Sequence, residues 1–243
     1  MPRFYVNCEL YDNLQLTLPL NVHKHIHSLR LRANQDIELF NGDGKSYAAV
    51  ITSISKINTT AHLKTCNNDL VEVHEINITL AMSMINNDKM DLVIQKATEL
   101  GVNKIIPIYT KNTQMIKPDK LKHKFTRWCS IAISSMEQCG LNKLPILSEM
   151  TSFENIISNY INHTKFIMSP KNMTHDITIN TINKPQNIIL LIGPEGGFTV
   201  EEIKYATQNN AIPITLGGLI LRSETAAIVG LSVIKTKFTN WIK

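Results

Sequence analysis

Short strand-like runs of apolar residues occupy the first third of the chain, and the alternation of polarity at residues 36–40 predicts a β-strand with one buried face. Such runs cover residues 4–6, 36–40, 46–54 and 55–66. The turn sequence Asn-Gly-Asp-Gly at 41–44 lies between two of them and predicts a β-hairpin. Polar residues at 67–69 then interrupt the pattern, so we expect a small, mostly β domain over residues 1–70.

After residue 75 the apolar runs become longer and alternate with segments of helical periodicity. Strands are predicted at residues 76–84, 102–109, 165–168, 187–192 and 212–216. Helices are predicted to begin at Asn87 or Asp88, at Pro118, after Ser152, at Thr199 and at Ser223, the last running to about Trp241. Gly101 is expected to end the first helix, and Thr199 with Glu202 is typical of a capping box. Strands that alternate with helices predict a parallel α/β sheet over residues 75–243.

Composition places the chain among globular proteins. Of 243 residues, 43% are hydrophobic and 19% charged, which favours a large buried core over a disordered or fibrous chain. The formal net charge of +5 favours a polyanionic partner, although many cytosolic enzymes are equally basic. No apolar run approaches the ~18 residues that span a bilayer, and no secretory signal is evident at the start. We therefore expect a cytoplasmic protein without a membrane partner.

The potential metal ligands do not form a recognisable motif. The four cysteines include no CxxC pair, which favours reduced thiols that fill the core over a zinc site. His23 and His27 would share a face if they lay on a helix, but no further ligand is evident. No metal is therefore expected.

Two glycine-rich segments that each follow a predicted strand are the main candidates for a functional site. Residues 191–198 read LIGPEGGF, residues 216–225 read LGGLILRSET, and together they hold five of the ten glycines. In open α/β sheets, ligands bind beyond the carboxyl ends of strands, where glycine allows close approach. Tight turns between strand and helix are the alternative explanation. Neither segment matches a dinucleotide or P-loop pattern and neither contains lysine, so a purine with a thioether arm fits better than a polyphosphate.

These two segments resemble the signature sequences of the ribosomal RNA small subunit methyltransferase E family, which belongs to the SPOUT class of methyltransferases. Three further segments are similar to the family pattern in the same order: residues 29–42, 81–114 and 136–139. The resemblance therefore covers essentially the whole chain.

The resemblance implies an α/β fold, with an N-terminal PUA-like β-barrel that contacts RNA and a C-terminal SPOUT domain with a parallel sheet and a trefoil knot. It implies that S-adenosyl-L-methionine binds in the C-terminal part of a homodimer. The implied reaction is methylation of N3 of a specific uridine in the decoding region, with 16S rRNA or the small ribosomal subunit as partner. A knotted 2′-O-methyltransferase acting on tRNA and a non-catalytic RNA-binding module are the alternatives.

Residues of the two loops are expected to line the cofactor pocket: Leu191, Gly193, Pro194, Gly196, Leu216, Gly217, Ile220 and Leu221. Because the uridine N3 proton is only weakly acidic, the reaction needs a base or a cation that stabilises the uracil anion. Arg222 is expected to hold a uracil carbonyl, and Glu224 to accept the proton or orient Arg222. An ion pair at the helix terminus is the alternative for these two residues.

Glu195 is a third catalytic candidate, either near the positive sulfonium or as a cap of the helix that begins at Thr199. Candidates for RNA contact are Arg3, Arg30, Arg32, Lys89, Lys96 and Gln138. For each charged residue among these, a solvated surface charge is the alternative.

Overall fold

The computed structural model describes residues 1–67, 76–113, 118–169 and 182–240. The chain divides into two units, one of residues 1–73 with 133–144 and one of residues 74–132 with 145–243. The predicted domain boundary near residues 70–75 falls outside the described residues and stays a prediction. The predicted second domain includes residues 133–144, whereas the structure groups this segment with the first unit.

The first unit contains a five-stranded sheet in the order β1-β3-β4-β5-β2. Its elements are β1 (Arg3–Tyr5), β2 (Gln15–Thr17), α1 (Leu20–Ser28), β3 (Asp36–Phe40), β4 (Ser46–Ile54) and β5 (Thr59–Asn67). Strands β1 and β3 are parallel, and the other neighbours are antiparallel. The predicted hairpin is confirmed, because Phe40 pairs with Ser46 across a loop in which Gly42 and Gly44 have φ of 87° and 106°.

Alternation along β3 explains the core of the first unit. Ile37 and Leu39 are fully buried and belong to one hydrophobic cluster with Ile26 of α1. The sequence pattern did not predict α1, because histidines interrupt its apolar repeat. One of them, His23, is itself buried, with Nδ1 2.8 Å from Thr59 Oγ1. This hydrogen bond allows a polar side chain to occupy a buried position where an apolar residue is expected.

Arg3 joins the sheet edge to the 133–144 segment inside the first unit. Its Nε lies 3.2 Å from Glu38 Oε2, and its guanidinium donates hydrogen bonds to the carbonyl oxygen of Met136 (3.2 Å) and to Asn142. Only 10% of the Arg3 side chain is exposed. Arg3 is therefore held mainly by internal partners, which positional reasoning on a single arginine could not foresee, and its contact with RNA stays a prediction.

The second unit contains seven parallel strands in the order β12-β10-β11-β6-β7-β8, with β9 also paired to β7. The strands are β6 (Asn77–Ser83), β7 (Lys104–Tyr109), β8 (Ile146–Leu147), β9 (Thr151–Ser152), β10 (Thr164–Met168), β11 (Asn187–Ile192) and β12 (Ala211–Ile214). The helices are α2 (Asn87–Glu99), α3 (Pro118–Cys139), α4 (Phe153–Asn159), α5 (Val200–Gln208) and α6 (Ser223–Phe238). The predicted α/β class with a parallel sheet is confirmed.

The helices of the second unit begin where the sequence predicts, except that two N-cap residues lie one position earlier than predicted. The predicted capping box is confirmed: Thr199 Oγ1 accepts from the Glu202 N–H (3.2 Å), and Glu202 accepts from the Thr199 N–H (2.8 Å). Asn86, rather than Asn87 or Asp88, occupies the N-cap position of α2. Arg222, rather than Ser223, occupies that of α6. The predicted end near residue 241 lies outside the described residues.

The four cysteines, all in the described part of the chain, form no disulfide and differ in burial. Cys8 and Cys139 are exposed, so the expectation that the thiols fill the core is wrong for these two. Cys66 and Cys129 are half-buried. The counts and spacings of cysteines carry no information on exposure, which depends on the tertiary fold.

Candidate functional site

The two predicted loops meet the same edge of the sheet in the second unit. The glycine loop, residues 193–198, follows β11, and the second loop, residues 215–222, follows β12. Because β12, β10, β11 and β6 are parallel neighbours, their carboxyl ends form one edge. This edge is where a parallel α/β sheet binds its ligands.

Glycines in the glycine loop have distinct local roles. The N–H of Gly197 donates to the Pro194 carbonyl (2.8 Å), and Gly197 has a φ of 67°. A Cβ on Gly193 would lie 3.0 Å from the Phe198 nitrogen, which is too close for a side chain. The tight turn therefore requires these two glycines, as the alternative explanation held. Gly196 is less crowded by the backbone, since a Cβ there would lie 3.4 Å from side-chain atoms of Asn112.

Glu195 faces the first turn of α2. Its Oε1 accepts hydrogen bonds of 3.4 Å from the Asn86 N–H and from Lys89 Nζ. Partial burial raises the pKa of Glu195, but these donors and its own backbone N–H outweigh burial and lower that pKa overall. Glu195 is thus a carboxylate, suited to balance a positive charge but weak as a proton acceptor. It does not cap α5, since Thr199 and Glu202 do so.

The loop that follows β7 holds the glycine loop in place, and the sequence did not indicate this role. Asn112 Nδ2 donates to the carbonyl oxygens of Gly196 (3.2 Å) and Gly197 (3.0 Å). The Lys111 N–H donates to Glu202 Oε1 at 2.9 Å, and Glu202 is buried. In the sequence, only the polar turn after this strand indicated a loop at residues 111–113. The order of the strands in the folded sheet is what brings that loop beside the glycine loop.

The second loop is open. A Cβ on Gly217 or Gly218 would meet no atom within 4 Å, and Gly217 has a φ of 73°. Leu219 and Ile220 are 82% and 94% exposed, which is unusual for adjacent aliphatic side chains. The loop therefore provides a polar backbone and apolar side chains that lack internal contacts.

Arg222 and Glu224 stand at the beginning of α6, beside the second loop. Arg222 is exposed, and its side chain makes no capping hydrogen bond to the helix. No ion pair joins Arg222 to Glu224 among the residues that the structure describes, so the ion-pair alternative gains no support. Glu224 Oε2 is buried and has no hydrogen-bond partner in the described part of the chain. Buried polar atoms without partners are rare and often mark functional sites.

The remaining RNA candidates differ in their surroundings. Lys89 contacts Glu195, and Lys96 Nζ lies 2.8 Å from Glu99 within α2. Arg30, Arg32 and Gln138 are exposed. Exposure leaves these three side chains accessible, whereas the charges of Lys89 and Lys96 are partly balanced within the second unit.

The described residues offer neither a metal cluster nor a helix suited to a membrane. No group of three or more His, Cys, Asp and Glu side chains there could hold a metal ion. His23 and His27 stack edge to face with ring centroids 4.5 Å apart. Within the described ranges, the helices are too short or too polar to cross a membrane.

Two family models match the chain. Residues 72–235 match the RNA methyltransferase domain, and residues 23–63 match the RNA methyltransferase PUA domain. A ribosomal RNA small subunit methyltransferase E from Buchnera aphidicola is 33% identical over 250 residues, covering 98% of this chain and 97% of the relative. A protein of the same name from Rickettsia conorii is 31% identical and covers 96% of this chain and 94% of the relative.

Solved structures are similar over the whole fold. A ribosomal RNA small subunit methyltransferase E from Neisseria gonorrhoeae, bound to S-adenosyl methionine, has 32% identity, a TM-score of 0.92 and full coverage of both chains. A methyltransferase from Legionella pneumophila in complex with the same cofactor has 32% identity, a TM-score of 0.88 and 96% coverage of both chains. The fold of both units is therefore shared with these two proteins, which were solved with the cofactor bound.

Proposed function

Because the chain belongs to the ribosomal RNA small subunit methyltransferase E family, we propose that it methylates N3 of a uridine in the decoding region of 16S rRNA. The chain is an S-adenosyl-L-methionine-dependent rRNA methyltransferase. The observation that supports this proposal most strongly is that both signature loops, with Arg222 and Glu224, lie at one edge of the sheet. The uridine N3 target, the trefoil knot and the cytoplasmic location remain predictions from the sequence.

The residues at the sheet edge fit the cofactor. The open backbone at Gly217 and Gly218 can approach a ligand closely, and Leu191 and Ile192 provide a buried apolar floor. The Glu195 carboxylate complements a positive sulfonium. When bound, S-adenosyl-L-methionine supplies an electrophilic methyl group.

Arg222 and Glu224 supply the groups that N3 methylation requires. We propose that the Arg222 guanidinium donates hydrogen bonds to a uracil carbonyl oxygen and so stabilises the negative charge of the deprotonated ring. Glu224 accepts the N3 proton on Oε2, the atom that has no internal donor. Because N3 takes part in base pairing, the target uridine must be unpaired or flipped out of its helix.

The proposed target can be tested on RNA from cells. Mass spectrometry of 16S rRNA from a strain that lacks this gene should show one uridine without its base methyl, restored by the gene in trans. A missing ribose methyl on tRNA would instead support the 2′-O-methyltransferase alternative. An unchanged methylation pattern, with no thermal stabilisation of the purified protein by S-adenosyl-L-methionine, would support the RNA-binding module.

A homodimer accounts for the exposed apolar side chains near the site. Helix α6 is apolar around most of its circumference, as is typical of helices that are covered on more than one side. It packs against α2. Four exposed apolar side chains lie on these two helices or on the loop before α6: Leu92 of α2, Val229 of α6, and Leu219 and Ile220 of the second loop. We propose that a second copy of the chain covers them.

The double variant Leu219→Ser/Ile220→Ser is expected to weaken self-association by at least about 100-fold, since burial of each aliphatic side chain contributes roughly 1.5–3 kcal/mol. Light scattering over a dilution series measures the effect. Ile161→Ser is the matched control, because Ile161 is also largely exposed, at 74%, but lies on the turn after α4. A wild-type monomer at all concentrations would contradict the homodimer.

Asn112→Ala is expected to raise the KM for S-adenosyl-L-methionine about tenfold, because each of the two lost hydrogen bonds contributes roughly 0.5–1.5 kcal/mol. The thermal midpoint should change little, since Asn112 is exposed. Steady-state kinetics with varied cofactor provide the measurement. Asn155→Ala removes an exposed side-chain hydrogen bond to Thr151 and should leave the KM unchanged. An unchanged KM in both variants would show that the glycine loop keeps its shape without Asn112.

A further inference from the structure

We propose that one face of α3, formed by Lys120, His123, Lys124 and Arg127, binds the sugar–phosphate backbone of the RNA beside the methylated uridine. We call these four residues the α3 basic face. The proposal rests on the proposed function and identifies where the RNA strand leaves the site.

Charge is concentrated in this part of α3. Residues 120–127 contain four lysines and arginines, one histidine and no acidic residue. The spacing of the four residues of the α3 basic face, at positions 120, 123, 124 and 127, places them within one stripe of the helix. A stripe of cations without interspersed acids is suited to a polyanion.

The cations of this face remain available to a ligand. Lys120 is exposed, and no hydrogen bond or ion pair of its side chain is recorded in the part of the chain that the structure describes. Lys124 contacts the neutral side-chain oxygen of Asn87, so its charge is not balanced by that partner. Arg127 pairs with Asp91 at 2.6 Å but keeps 65% of its side chain exposed.

A cleft of about 230 Å³ separates this face from the first turn of α2. His123, Lys124 and Arg127 line one side, and Asp88 and Asp91 line the other. Arg127 balances Asp91, and Asp88 lies in the first helical turn, where the helix dipole stabilises a carboxylate. Lys124 is the lysine of the α3 basic face that lines the cleft, and among the described residues no ion pair joins it to Asp88.

The first turn of α2 connects this face to the site. Asn86 and Lys89 both contact Glu195 in the glycine loop, and Asn87, between them, contacts Lys124. The α3 basic face is therefore one helix turn away from the loop that we assign to the methyl donor. RNA that places a uridine at the loop carries phosphates into this neighbourhood, where they need cationic partners.

The test measures how binding of unmethylated 16S rRNA depends on salt. The double variant Lys120→Gln/Lys124→Gln should make the slope of log K against log[salt] shallower by about 1.4–1.8, since each phosphate contact contributes about 0.7–0.9. The control is Lys204→Gln/Lys237→Gln, which removes two exposed lysines from α5 and from the last turn of α6. The control should keep the wild-type slope.

Three outcomes separate the possibilities. If the double variant keeps the wild-type slope while wild-type protein binds and methylates the RNA, the α3 basic face does not bind phosphate and the inference is overturned. If wild-type protein neither binds nor methylates 16S rRNA or small subunits, the proposed function itself fails. If the slope on naked RNA is unchanged but affinity for assembled subunits falls, the face contacts a ribosomal protein, which also overturns the inference.

The single variant Lys120→Gln separates loss of RNA binding from loss of folding. The Lys120 side chain is exposed and has no hydrogen-bond or ion-pair partner among the described residues, so its removal should not affect stability. Its slope should become shallower by about 0.7–0.9 at an unchanged thermal midpoint. Cofactor affinity, measured by calorimetry, should stay at the wild-type value in all of these variants.

Discussion

Replacing Arg222 with alanine is expected to lower kcat for RNA methylation by about 100-fold or more, the scale seen when one charge-stabilising group is removed from an active site. The reason is that neutral uracil attacks poorly, and the guanidinium favours the anionic ring. The Arg222 side chain is exposed and makes no capping hydrogen bond, so folding should be unaffected. The Kd for S-adenosyl-L-methionine, measured by calorimetry, should therefore stay near the wild-type value.

Two companion variants sharpen this result. Arg222→Lys keeps the charge but loses the planar fork, so it should recover only part of the rate. Glu224→Gln keeps the shape of the side chain but cannot accept a proton, so it should reduce kcat to a similar extent with cofactor binding intact. Normal turnover of Arg222→Ala on small-subunit RNA would remove Arg222 from the mechanism.

Gly217→Val is expected to weaken binding of S-adenosyl-L-methionine by about 100-fold or more, because the loop must rearrange. Gly217 has a φ of 73°, a region that costs a non-glycine residue about 1–3 kcal/mol and a β-branched one most of all. The open surroundings of Gly217 mean that the protein itself should remain folded. Calorimetric titration with the cofactor measures the loss.

Gly44→Val is the matched control for this variant. Gly44 also has a positive φ, of 106°, and an equally open environment, but it lies in the hairpin loop of the first unit. It should show a similar change in stability with no change in cofactor affinity. If both variants bind the cofactor normally, the second loop does not line the pocket.

Local chemistry made much of the second unit predictable. The run of apolar residues in β11 indicated a buried strand, and the Thr199–Glu202 pair indicated a helix start, because both signals act between residues close in sequence. The first-unit helix α1 escaped prediction because His23 is buried through a hydrogen bond to Thr59, a partner that is distant in sequence. The internal contacts of Arg3 escaped prediction for the same reason, as its partners Met136 and Asn142 lie far along the chain.

The sequence by itself determined the α/β class, the positions of the two glycine-rich loops and the family to which they belong, since these depend on periodicity and on short motifs. Only the tertiary structure decided which other residues support the site. The strand order brings Asn112 against Gly196 and Gly197, and the start of α2 against Glu195. Such contacts join segments separated by many residues, so their geometry exists only after the sheet has assembled.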